Sequence, residues 1–167
     1  MKQTEIDSIT NRLKVLNEAK VDSINRDHGD IWICFIDGTG INYILVMQTL
    51  FRFCDAEKVL ITEMDKYKAS DFVLSSPLYN EENFDWDVKG LNKFDEWVQD
   101  NQYSLLSKLL VKGVLINIYG DLTIAFNEGI TLTVYLEVTN NTECWRFFEK
   151  EADEKDDLVL LGSGLRE

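Results

Sequence analysis

The side chains that could do chemistry are few and scattered. His28 is the only histidine and sits in Asp27-His28-Gly29-Asp30, a stretch with hairpin-turn chemistry. One imidazole cannot build a histidine-rich metal site, and a Ser-His or Cys-His pair would have to recruit this turn residue. An exposed hairpin tip gives a general base no shelter. Cys34, Cys54 and Cys144 are an odd number without CxxC spacing, each inside or beside an apolar strand. They read as buried thiols. Asp85-Trp86-Asp87 pairs two acids but lacks the ligand spacing of a calcium loop. Gly162-Ser163-Gly164 follows a strand with no helix after it to hold a phosphate, and is expected to be a flexible tail. Two carboxylates could act as acid and base in a glycosidase cleft, yet with 30 acids in the chain nothing singles out a pair. No catalytic residue, metal or cofactor is expected.

Two arginines stand between aromatics: Phe51-Arg52-Phe53 and Trp145-Arg146-Phe147. In a strand the arginine faces away from its neighbours, and such a side chain usually lies along the sheet and pairs with a carboxylate. Asp65 or Glu63 is the expected partner of Arg52. Glu143 or an acid from 149–157 is the expected partner of Arg146.

Charge is the strongest compositional signal. Thirty acids face 17 bases, a net charge of −13 over 167 residues. A nucleic-acid backbone needs a basic face, and anionic membranes repel an acidic one. An acidic surface suits a basic partner, or serves solubility alone. The acids concentrate in two places. From 81 to 100, Glu81, Glu82, Asp85, Asp87, Asp95, Glu96 and Asp100 are interleaved with Phe84, Trp86, Phe94 and Trp97; from 149 to 157 there are six acids and two lysines. No segment reaches the roughly 20 apolar residues of a membrane span, and MKQTEIDSIT lacks the apolar stretch of a signal peptide. A cytoplasmic location is expected.

The elements that must position these groups follow from periodicity. Ile6, Ile9, Leu13 and Leu16 predict a helix over 3–17. Strands follow as KVDSINR and DIWICFI; the second is apolar on both alternating sets, which predicts a strand covered on both faces. INYILVMQTLFRF and KVLITEMD continue the strands. Residues 71–90 collect Ser, Asn, Asp and the only proline among scattered aromatics, a long connection expected to pack over the body. Leu91, Phe94, Trp97 and Val98 predict a helix, with helical character continuing in SLLSKLL. VKGVLINI, DLTIAFN, ITLTVYLEV, CWRFFE and DLVLLGS predict further strands.

The second run of strands resembles the first. Gly29-Asp30 corresponds to Gly120-Asp121, Phe35 to Phe126, Gly38 to Gly129, Phe51-Arg52-Phe53 to Trp145-Arg146-Phe147, and KVLIT to DLVLLG. The chain is therefore read as a single α+β domain: two similar helix-plus-antiparallel-meander halves, approximately 3–68 and 91–164, packed around a shared core and joined by a packed loop 69–90.

Gln48, Phe51-Arg52, Asp65-Lys66-Tyr67, Gly120-Asp121-Leu122, Gly129 and Trp145-Arg146-Phe147 carry a further likeness. Over nearly all of the chain after residue 20 the pattern resembles a widespread, mostly uncharacterised set of small bacterial proteins with Trp/Phe-Arg-Phe strand motifs. Some of that set look like immunity proteins of polymorphic toxin systems. The chain departs from it in having Phe51 where Trp is more typical, and in a longer acidic 149–157 insertion.

Two functions are expected from this. One is a non-catalytic immunity-type protein that binds a cognate, cationic toxin. Its partner-binding candidates are Glu81, Glu82, Phe84, Asp85, Trp86, Asp87, Asp153, Glu154, Asp156 and Asp157, with acids to steer and aromatics to anchor. The alternative is a small-ligand-binding domain or enzyme with a site between the halves, around Arg52, Asp65, Tyr67 and Arg146. Self-association as a homodimer stays open.

Overall fold

A computed structural model describes residues 1–152 and 156–166. Helix α1 (Gln3–Leu13) turns its stripe of Ile6, Ile9 and Leu13 into the core, and Leu16 continues that stripe in a short 3₁₀ turn. Glu5 reaches back to accept from the Lys2 backbone N–H at 2.6 Å, closing the first turn. The strands are β1 (Lys20–Asp27), β2 (Asp30–Ile36), β3 (Asn42–Met47), β4 (Phe51–Cys54) and β5 (Val59–Thr62). A single helical turn α2 (Asp71–Leu74) and helix α3 (Lys93–Asn101) follow. The remaining strands are β6 (Val111–Ile116), β7 (Leu122–Phe126), β8 (Thr131–Val134), β9 (Glu143–Glu149), β10 (Leu158–Leu161) and β11 (Gly164–Leu165). Among the described residues no helix is long and apolar enough to cross a membrane.

The fold is α+β, with two antiparallel sheets enclosing one core. The first sheet runs β1-β2-β3-β9-β10-β11 and the second β5-β4-β8-β7-β6. Replacing β1 to β5 by β6 to β10, and the reverse, converts one order into the other, β11 aside. The register obeys the same exchange. Met47 pairs with Trp145 and Leu45 with Phe147; Val134 pairs with Phe51 and Leu132 with Phe53. Each half thus builds three strands of its own sheet and then passes two strands into the other. The core lies between the inward sets of both sheets, with Trp145, Phe35, Phe53 and Phe94 among its largest fully buried side chains.

Several expectations are corrected. INYILVMQTLFRF is two strands, because residues 48–50 carry the chain from one sheet to the other. Gln48 N–H donates to the Cys144 carbonyl, and Tyr135 N–H donates to the Leu50 carbonyl. KVLITEMD ends as a strand at Thr62, and Glu63–Tyr67 curls into a 3₁₀ turn. SLLSKLL forms only the short turn Leu106–Lys108. β2 is covered on one face only: Ile31, Ile33 and Phe35 are buried, while Trp32, Cys34 and Ile36 are half-exposed. Gly162-Ser163 is the turn of a final hairpin, and Gly164-Leu165 pairs back on β10. Gly162 is needed there, since a Cβ would stand 2.4 Å from the Val138 carbonyl oxygen.

Candidate functional site

The segment between the halves is clamped at its base. Ala69 and Asn92 form an antiparallel bridge. Ser70 N–H donates to the Leu91 carbonyl at 2.9 Å, and Lys93 N–H to the Lys68 carbonyl at 2.8 Å. Asn92 is fully buried. Its side-chain oxygen caps α3 by accepting from Asp95 N–H, and its amide donates to the Trp86 carbonyl at 2.9 Å. Glu96, one turn into α3, accepts the backbone N–H groups of Asp71 and Phe72 at 2.9 and 3.0 Å. A carboxylate there satisfies two free donors of the α2 turn.

A second clamp comes from β1. Arg26 falls on the inward set with Ile24, its side chain only 2 % exposed. Its guanidinium donates to Asp95 through Nε and Nη2, to Asp87 Oδ1 at 2.9 Å and to the Asp87 carbonyl at 3.2 Å. Burial disfavours the charge, but the bonds to Asp95 and Asp87 outweigh it and hold the arginine more firmly protonated. His28 Nδ1 meets the other Asp87 oxygen at 2.7 Å. Sequence reading missed Arg26; its only signal is an arginine standing in the inward register of β1, directly opposite Ile31.

Between these clamps the segment carries an open apolar groove of about 520 Å³, lined by Phe72, Val73, Leu78, Tyr79, Phe84 and Val88 among others. The Tyr79 and Phe84 rings meet edge-on at 6.3 Å. Leu78 is 90 % exposed and Phe72 76 %. Asp71, Glu81, Glu82 and Asp85 are exposed in the same segment, and residues 69–88 contain no lysine or arginine.

The predicted partner-binding residues divide accordingly. Glu81, Glu82 and Asp85 face solvent and Phe84 lines the groove. Trp86 and Asp87 are turned to internal duty instead: the Trp86 ring packs edge-on to Tyr67 at 4.8 Å and lies 5.7 Å from the Arg26 guanidinium, while Asp87 serves Arg26 and His28. Asp156 is exposed, but the Asp157 side chain is 7 % exposed and pairs with Arg146. Asp153 and Glu154 lie outside the described residues.

The four residues expected to converge between the halves are not brought together. Arg146 stands on the outer face of the first sheet, held by Glu143 at 3.0 and 2.8 Å and by Asp157 at 3.3 Å. Arg52 stands at the equivalent position of the second sheet, exposed, with its guanidinium 5.3 Å from the Tyr135 ring. Its expected partners are engaged elsewhere. Asp65 bonds Lys68 at 2.9 Å and the Thr62 N–H and hydroxyl; Glu63 bonds Lys66 at 2.6 Å. Tyr67 lies under Lys66 and against Trp86. The partners expected for Arg146, Glu143 and an acid of 149–157, are the ones it meets, whereas neither acid expected for Arg52 reaches it.

Of the three cysteines expected to be buried, Cys34 and Cys54 are only partly so, since each stands on the outward set of its strand. Cys144 is buried, and burial with nearby Glu137 pushes its thiol up. Among the described residues no group of three or more His, Cys, Asp or Glu side chains is placed to hold a metal ion. Comparison with protein-family models, with curated proteins and with solved structures returned no match.

Proposed function

We propose that the chain is a non-catalytic, immunity-type protein that captures a basic protein partner in the groove of residues 71–91. The observation that carries this reading is the groove itself: exposed Phe72 and Leu78 on a stretch, residues 69–88, with acids and no lysine or arginine, held at its base by the buried Arg26 clamp. Apolar side chains left uncovered among the described residues supply anchoring area, and surrounding carboxylates orient a cationic surface. The likeness to immunity proteins points to a toxin as the partner, and an enzyme that cuts nucleic acid has a basic substrate groove of the matching sign. The alternative of a ligand site between the halves is not favoured, since Arg52 and Arg146 face outward from different sheets.

The test is calorimetric titration against the purified product of the neighbouring reading frame, at low and high salt, with a survival assay of cells expressing that product. Tight binding that weakens with salt, and rescue by this chain, are the expected results. Absence of binding, or turnover of a substrate by the isolated chain, overturns the reading.

A further inference from the structure

The two sheets share a register but differ in what they show to solvent. On the outer face of the first sheet, two cross-strand rows run Asn25-Trp32-Val46-Arg146 and Ser23-Cys34-Ile44-Phe148. The equivalent rows of the second sheet run Leu115-Thr123-Thr133-Arg52 and Gly113-Ala125-Thr131-Cys54. At the centre, Trp32, Cys34, Ile44 and Val46 stand where the other sheet has Thr123, Ala125, Thr131 and Thr133. Threonine and alanine suffice for an antiparallel face open to water. Folding therefore does not demand the apolar set, and all four of its members keep part of their surface in water. A contiguous patch of this kind marks an interface.

Charge selects what covers it. Of the eight side chains in the first sheet's rows only Arg146 is charged, and Glu143 and Asp157 already hold it. The acids on this face, Glu143, Asp157 and Asp30, are already engaged by Arg146 or Gln48, whereas the groove of residues 71–91 offers a basic partner exposed ones. Two copies of a chain with net charge −13 repel each other almost everywhere, and they meet at least cost through a surface whose centre is uncharged. We infer that the outer face of the first sheet is a self-association surface, on which a second copy packs face to face about a two-fold axis. Four strands spaced at about 4.8 Å, six or so residues long, give a footprint of roughly 20 by 20 Å. That is small for an obligate dimer, and the association is a reversible one.

Sedimentation equilibrium across the micromolar range tests this. The wild type is expected to dimerise with concentration and to do so more tightly as salt rises, because salt screens the repulsion. That is opposite in sign to the salt effect on a basic partner, so the two readings fail separately. The variant C34A/I44T/V46T copies three of the four central second-sheet residues onto the first and is expected to weaken dimerisation about a hundredfold or more. Thr133→Asp, at the matching site of the second sheet, is expected to leave it unchanged. Should the triple variant fail to fold, Trp32→Gln is read in its place. A wild type that stays monomeric, or a dimer indifferent to these first-sheet variants, overturns the inference. So does a monomer whose triple variant loses the neighbouring gene product, which would give the face to that partner instead.

Discussion

Arg26 on β1 and Asp95 on α3 are joined by two parallel bonds, Nε to Oδ1 at 3.1 Å and Nη2 to Oδ2 at 3.0 Å. The pair is nearly sealed from water, with side chains 2 % and 9 % exposed. Removing Arg26 leaves the Asp95 carboxylate buried without its counter-ion, held only by the Gly90 N–H and the Asn92 amide, and loss of one partner of a buried pair costs about 3–5 kcal/mol. Arg26→Ala is therefore expected to lower the melting temperature by many degrees. Because the same side chain holds Asp87, limited proteolysis within residues 75–85 is expected to accelerate in Arg26→Ala, ahead of global unfolding.

The outer half of this clamp responds to pH. The bond to Asp87 raises the His28 imidazole above its ordinary value, aided by the negative charges of Asp87 and Asp27. The same bond, against partial desolvation and together with Arg26, holds the Asp87 carboxyl below the usual carboxylate range. A raised imidazole contributes fully below about pH 6.5 and loses that contribution as pH rises through its raised value; a lowered carboxyl contributes fully above about pH 3.9 and loses it as pH falls through its lowered value. His28→Asn keeps the left-handed turn, since asparagine tolerates the positive φ of 49°. Thermal melts of the two proteins are expected to differ most between about pH 4 and 6.5, and to converge as pH rises above that window. A difference that grows toward alkaline pH would refute the pairing.

Trp145 is fully buried, and among the described residues its indole N–H has no hydrogen-bond partner. The equivalent residue in the other half is Phe51. An unbonded buried donor is costly in its own right. Trp145→Phe is thus expected to cost less than about 2 kcal/mol, against about 3–5 kcal/mol for Trp145→Ala, because removing the donor offsets part of the lost volume. Denaturant unfolding of the two variants checks the ranking.

Arg52 and Arg146 share a register position and differ in what holds them. Arg146→Ala leaves the buried Asp157 carboxylate without its cation and is expected to cost about 1–3 kcal/mol. Arg52→Ala gives up an exposed stacking contact on Tyr135 and is expected to stay below about 1 kcal/mol. Equal losses would show that the ion pairs around Arg146 contribute nothing.

Elements bounded by turn residues were legible in the sequence. Gly29-Asp30 and Asp37-Gly38 bracket the apolar run of residues 31–36 and place β2 at Asp30–Ile36 as the structure has it. The likeness of Phe51-Arg52-Phe53 to Trp145-Arg146-Phe147 locates two strands that prove equivalent in register. The passage between sheets at Gln48-Thr49-Leu50 was hidden, because no glycine or proline marks it and apolar residues run on both sides. Outward Trp32, Cys34 and Ile36 imitate a doubly buried strand, since pattern alone cannot tell a covered apolar face from an open one. The groove was half legible. Its acids and Phe84 stood out by composition, but Trp86 and Asp87 are claimed by Tyr67 and by Arg26, a residue far away in sequence. Arg26 escaped notice because one arginine in an inward register looks like an irregular strand end until its two carboxylates are in place.

The most direct test of the central claim compares wild type with the double variant F72S/L78S for binding to the neighbouring gene product. Both side chains are exposed, so the melting temperature is expected to hold. Affinity is expected to fall at least about tenfold, as loss of anchoring side chains does at an interface. Undiminished binding by the double variant, with its fold intact, would contradict the claim that this groove takes the partner.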